Sequence, residues 1–217
     1  MKGEAMKPFI LMALSGVLAL TSCGGAPSSD AGGSRPTARV TSLFEFPEIA
    51  TGAKTYLQFR DPAGKSVKQE ELKAGETSRV IEIQNLGTPL EADLSAPLSF
   101  KPADATVVQG PTPSSAKIYG LAPIIYADRN SNGTLDDGEL LLMTHDRVLY
   151  SSAAFTAAYS QAVGGKTMTT RVNAQTGWTR LEHYVYLPRD SSEYKRSLTS
   201  TVDRTFYLHK VTPETSM

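Results

Sequence analysis

The sequence holds a single cysteine, so no disulfide framework is open to it. It has one tryptophan and only three histidines, too few for a histidine-rich metal site. It also lacks a surplus of either charge, with 22 Lys and Arg against 22 Asp and Glu. A nucleic-acid binder needs a basic excess to neutralise phosphates, and none is present here. No apolar run reaches the ~20 residues that a membrane-spanning helix requires. What remains is 217 residues with 40% hydrophobic content, enough for one domain of ordinary size or two small ones. Gly and Pro, 17 and 13 in number, suit a loop-rich globular chain better than a disordered one.

The first segment reads as an address. Lys2 and Lys7 give a basic start, and an apolar run extends from Pro8 to Leu20. That run is too short to span a bilayer and has the length of a signal-peptide core. It ends in Leu20-Thr21-Ser22-Cys23, which resembles the bacterial lipobox. The resemblance implies cleavage after residue 22 and lipidation of Cys23, which becomes the mature N-terminus. Use as a lipid anchor also explains why the chain's only cysteine has no partner. Gly24, where an Asp would imply inner-membrane retention, implies an outer-membrane lipoprotein. Residues 23–37 carry no large apolar side chain and read as a flexible tether. The folded domain is then expected over residues 38–212.

That domain reads as mainly β, with few or no helices. Apolar residues come in short runs between turn signals, at 39–46, 55–60, 78–84, 116–127, 139–143, 147–151, 166–173, 178–187 and 201–209. In the last run Val202, Phe206 and Leu208 fall on one face, and Arg204 spoils the alternation. Asp61-Pro62-Ala63-Gly64 suits a type I turn, and Gly164-Gly165 and Gln175-Thr176-Gly177 look like hairpin connections. Residues 152–163 could be a helix by spacing, but their neighbours favour a strand. The proline-rich stretch 87–115 is the least regular part and could mark a boundary between two small β units. A single antiparallel β-sandwich, of immunoglobulin- or transthyretin-like type, is expected, with an open barrel as the alternative.

One motif carries chemistry. Residues 128–139 read Asp-Arg-Asn-Ser-Asn-Gly-Thr-Leu-Asp-Asp-Gly-Glu and fit D-x-[DN]-x-[DN]-G-x5-E. This resembles the calcium loop of EF-hand proteins. The resemblance implies a cation held by the side chains of Asp128, Asn130, Asn132, Asp136 and Glu139 and by the Thr134 carbonyl. Gly133 would allow the sharp bend and Leu135 would pin the loop to the core. The flanks do not make an EF-hand: Gly120 and Pro123 interrupt an entering helix, and Ile124-Ile125-Tyr126 favours a strand. The loop is therefore expected between two strands, similar to calcium loops of bacterial surface β-sandwich domains and envelope lipoproteins. Those imply a Ca2+ ion that stiffens the junction and does no catalysis. With three carboxylates in the set, affinity on the order of 10⁻⁴–10⁻³ M is expected, as in extracellular modules.

Other candidates are weaker. His145-Asp146, Glu182-His183 and Asp203 with His209 could be base–orienter pairs, but no nucleophile elbow or H-E-x-x-H pair accompanies them. They read as surface or strand-packing residues, and no catalytic residue is assigned. Trp178 reads as a core anchor. Tyr184, Tyr186 and Tyr207 read as strand-face residues or as an exposed aromatic row for glycan or partner contact. The expected function is a lipid-anchored, calcium-stabilised, non-catalytic envelope domain that binds or supports an envelope protein or polymer. A calcium-dependent enzyme acting on glycans and a carrier of small apolar ligands are the alternatives.

Overall fold

A computed structural model describes residues 41–50, 52–86 and 89–211. The signal segment, Cys23 and the tether lie outside the described residues, as do 38–40 and 212 of the expected domain. The described residues form one compact unit. Its regular structure is almost entirely β, and its sheets do not close into a barrel, in keeping with a sandwich.

Fourteen strands are described: β1 Thr41–Glu45, β2 Lys54–Arg60, β3 Ser66–Leu72, β4 Ser78–Glu82, β5 Thr106–Thr112, β6 Ile118–Asp128 and β7 Leu140–Met143. They continue with β8 Arg147–Ser151, β9 Phe155–Val163, β10 Lys166–Ala174, β11 Gly177–Tyr186, β12 Glu193–Thr201, β13 Thr205–Tyr207 and β14 His209–Lys210. A three-stranded sheet runs in the order β13-β1-β4. A larger one runs β14-β7-β6-β8-β11-β12-β10-β9-β5, with β2 added on β6 and β3 on β2. Pairing is mostly antiparallel, but β1 with β13 and β10 with β12 run parallel.

Strand β6 is the spine. One of its edges pairs with β2 over Ala122–Asp128. Its other partners, β7 and β8, act as one antiparallel line broken at Thr144-His145-Asp146: Ile124 faces Met143, and Leu121 faces Val148. Pro123, which has no N–H to give a ladder, falls at that break. Side chains of β6 feed two cores. Leu121 and Ile125 join Phe44, Phe59, Ile81 and Phe206 between the two sheets, where Phe44 stacks on Phe206 at 4.8 Å. Ile118 joins Leu149, Phe155, Tyr159, Val172 and Leu198 in the second core.

Strands β1, β2 and β8 lie within a residue or two of the runs 39–46, 55–60 and 147–151 read from sequence, and the stretch 152–163 supplies strand β9 from Phe155 on. The turn at Asp61–Gly64 closes through the Gly64 N–H on the Asp61 carbonyl. Gly164 and Gly165, at φ of 57° and 76°, join β9 to β10 as a tight hairpin.

Two local expectations are corrected. Gln175-Thr176-Gly177 is not a hairpin turn. β12 lies between β10 and β11, and the connection passes over its end, with the Gln175 N–H on Ser200 Oγ at 3.0 Å. Val202 is 89% exposed and does not share a face with buried Phe206 and Leu208, because β12 ends at Thr201 and β13 begins afresh at Thr205.

Candidate metal centre

The 128–139 segment is the hairpin loop between β6 and β7, so the strand flanks read from sequence stand. Its two ends are fixed by buried carboxylates, with Asp128 3% and Glu139 4% exposed. The loop folds round the first of these. Asp128 Oδ1 accepts the Asn132 N–H and Oδ2 accepts the Gly133 N–H, each at 3.0 Å. Gly133 sits at φ 74°, the left-handed bend that a residue without Cβ adopts freely. Glu139 spans the base, with Oε1 on the Arg129 N–H at 2.8 Å and Oε2 on the Asp136 N–H at 3.0 Å.

The remaining expected ligands stand above this base and are exposed. Asp136 Oδ2 receives the amide groups of both Asn130, at 2.6 Å, and Asn132, at 2.7 Å. These bonds hold its carboxyl below the ordinary value. Asn132 Oδ1 caps Thr134 through its N–H and its hydroxyl. Leu135 is half-buried, in partial accord with an apolar pin. Beneath the loop, the Tyr126 hydroxyl lies 3.1 Å from the Gly133 carbonyl and 2.9 Å from Gln69 Oε1. Burial, reinforced by the Asp128 charge, raises the pKa of that phenol above its ordinary value.

The donor set is oxygen throughout, which suits a hard cation such as calcium. The electrostatics point the same way. Buried carboxylates are ordinarily paired with a cation or a metal. Among the described residues Asp128 and Glu139 have no cationic side chain in contact, and the Arg129 guanidinium spends its Nη1 on the Gly138 carbonyl. The geometry is nonetheless open. Among the described residues, no three acidic, histidine or cysteine side chains are drawn to metal-holding distance. Closing the loop on an ion would require turning the Asn130 and Asn132 amides, so that oxygen rather than nitrogen faces Asp136. Three facing oxygens repel one another unless a cation sits between them.

The histidines set aside on sequence grounds come together. His145 lies in the break between β7 and β8, His183 on β11 and His209 at the start of β14, with ring centres 5.1 Å (145–183) and 6.2 Å (145–209) apart. Burial, helped by the Arg196 charge and by His145, lowers the His183 pKa to about 4. Next to them Asp146, 8% exposed, receives Arg180 Nε at 2.8 Å and the His183 backbone N–H at 2.9 Å. No pairwise spacing in the sequence signals this meeting, because it depends on which strands become neighbours. Trp178 packs against the first core and meets Tyr119 and Tyr150 edge-on. Tyr184, Tyr186 and Tyr207 are all more than half exposed.

Compared with known proteins, the chain matches no family model, no curated protein and no solved structure.

Proposed function

We propose that this chain is a lipid-anchored envelope domain whose 128–139 loop takes a calcium ion that stiffens the β6–β7 junction. Two buried carboxylates with no cationic partner among the described residues, Asp128 and Glu139, carry this reading. A cation between the loop oxygens would neutralise them and pin the end of the spine strand. The ion's contribution is mechanical and electrostatic. It fixes a hairpin on which β2, β7 and β14 depend. Cys23 supplies the membrane attachment and residues 24–37 the reach; the bound partner is an envelope protein or polymer, and the membrane is the outer one.

The experiment expresses the full chain in a double-membraned bacterium, with labelled fatty acid and crosslinking in intact cells. Label in the chain, an outer-membrane fraction and a crosslinked envelope partner that is lost in EGTA are the expected results. Loss of the label in Cys23→Ala is expected as well. A wild-type chain found unlabelled in the soluble fraction would overturn the anchor. An undiminished crosslink in EGTA would overturn the role of calcium.

A further inference from the structure

The second core fills only part of its side of the large sheet. Leu181, Val172 and Leu198 bury their share there. Farther along the same strands that side turns polar. Alternation puts Arg147 on it, level with Leu181, and Arg196, level with Val185, with His183 between them on β11. We propose that Arg147, Arg196, Thr170 and Gln161 line a site for one tetrahedral oxyanion of the phosphate class, at the polar end of this side.

The hydrogen-bond inventory points there first. Among the described residues, Gln161 Oε1, Thr170 Oγ1 and Arg196 Nε are buried and have no hydrogen-bond partner. The three are neighbours. Thr170 is level with Arg196 across β10 and β12. Gln161, on β9, is level with Met168, the next residue on Thr170's side of β10. Adjacent strands lie about 4.8 Å apart, so the three side chains form one diagonal row. Buried polar groups are rarely left unpaired, and a row of them calls for a common partner. Thr170, 0% exposed, is the floor of the row, and Gln161 and Arg196 are half-buried on either side of it. Guanidinium and hydroxyl donate to an oxyanion, and the Gln161 amide accepts the O–H of a singly protonated phosphate.

The charges agree. Among the described residues no acidic side chain of β8 to β12 shares this side of the sheet, because Glu182 and Glu193 alternate to the other one. Asp146, which borders it, is taken up by Arg180 and the β11 backbone. Neither Arg147 nor Arg196 has a carboxylate partner among the described residues, and Arg147 spends its Nη1 on the carbonyls of Thr144, His145 and Asp146. Both positive charges act on the His183 ring, which burial keeps neutral. Lys166 adds a third cation on the same side, its Nζ 4.7 Å from the centre of the Tyr194 ring. Partly buried cations without a counter-charge favour an anion of more than one charge, and the guanidinium fork matches phosphate oxygens. The 128–139 loop, with its buried carboxylates, takes the opposite charge, so the two sites are chemically separate.

The test titrates inorganic phosphate into the full chain in calcium-free buffer at neutral pH. Calorimetry should show one phosphate per chain, with a raised thermal midpoint and a shifted Arg196 Nε–H signal by nitrogen-15 NMR. Arg196→Gln should weaken phosphate at least tenfold without lowering the midpoint of the phosphate-free chain, because it removes an unpaired charge. Arg171→Gln takes the same charge from the opposite side of β10 and should leave affinity unchanged. Circular dichroism checks that each variant keeps its β signature. Should Arg196→Gln fail to fold, Arg196→Lys, which keeps the charge and loses the fork, and the wild-type Arg196 signal decide. Glycerol phosphate in place of inorganic phosphate separates the sources: binding at least tenfold tighter assigns an esterified headgroup, otherwise the free ion, and either upholds the site. No phosphate uptake, an unmoved Arg196 signal, equal binding of chloride, or equal losses in Arg196→Gln and Arg171→Gln would each overturn it.

Discussion

The hydroxyl of Tyr126, fully buried in the spine strand, lies 3.1 Å from the carbonyl of Gly133 at the bend of the 128–139 loop. The contact ties the loop to the sheet beneath it, and Gln69 links it across β2 to strand β3. Tyr126→Phe keeps the ring, which stacks on Tyr56 at 5.5 Å, and removes only the polar tie. It should cost about 1 kcal/mol in denaturant unfolding. Calcium affinity should fall several-fold, because the loop loses the anchor that holds its bend.

Gly133→Ala separates backbone freedom from packing. A Cβ there would meet nothing within 4 Å, yet φ is 74°. The expected loss is therefore backbone strain alone, about 1 kcal/mol. Urea unfolding measures it. Weaker calcium binding should accompany the loss, since the Gly133 N–H would shift from Asp128.

Asp146 should be among the costliest polar positions to change. Removing it by Asp146→Ala strands the buried Arg180 Nε and frees the His183 N–H. A loss of about 3 kcal/mol is expected, the lower end for breaking a buried pair, because Arg180 keeps Glu182 at 3.0 Å and Asp203 at 3.1 Å. Asp146→Asn, which can still accept from His183, should lose less. Unfolding curves of the two variants give the comparison.

Glu76 sets one acid limit of stability. Its carboxyl is held below 4.5, chiefly by the Arg79 guanidinium, whose Nε and Nη2 reach its two oxygens at 2.6 and 2.8 Å. The folded value lies below the unfolded one, so the pair stabilises fully above about pH 4.5 and is lost as pH falls through the lowered value. Glu76→Gln should lower the melting temperature near neutral pH and narrow its difference from wild type below pH 4. For so accessible a pair the effect is under about 1 kcal/mol. Melting curves across pH 3–7 test it.

The loop was legible in the sequence because all its parts lie within twelve consecutive positions, and so were the strands that carry alternating apolar residues. Strand β3, with only Leu72 buried, and β12, with Leu198 and Ser200, bury too little apolar side chain to stand out in a hydrophobic pattern. β5 is exposed along almost its whole length and left no signal either. The meeting of His145, His183 and His209 was illegible for a different reason: it follows from β14 and β11 flanking one broken strand, a matter of topology. Alternation also misled at Val202, because a pattern of period two carries on through a turn that the backbone does not.

Whether a cation belongs among the loop oxygens is decided most directly by calcium titration of the chelator-stripped full chain, read by calorimetry and by thermal unfolding. One calcium per chain is expected, with Kd on the order of 10⁻⁴–10⁻³ M. The melting midpoint should rise with calcium as mass action requires, and both effects should vanish in Glu139→Gln. A midpoint that stays the same in EGTA, with metal removal verified, would contradict the calcium-stiffened junction.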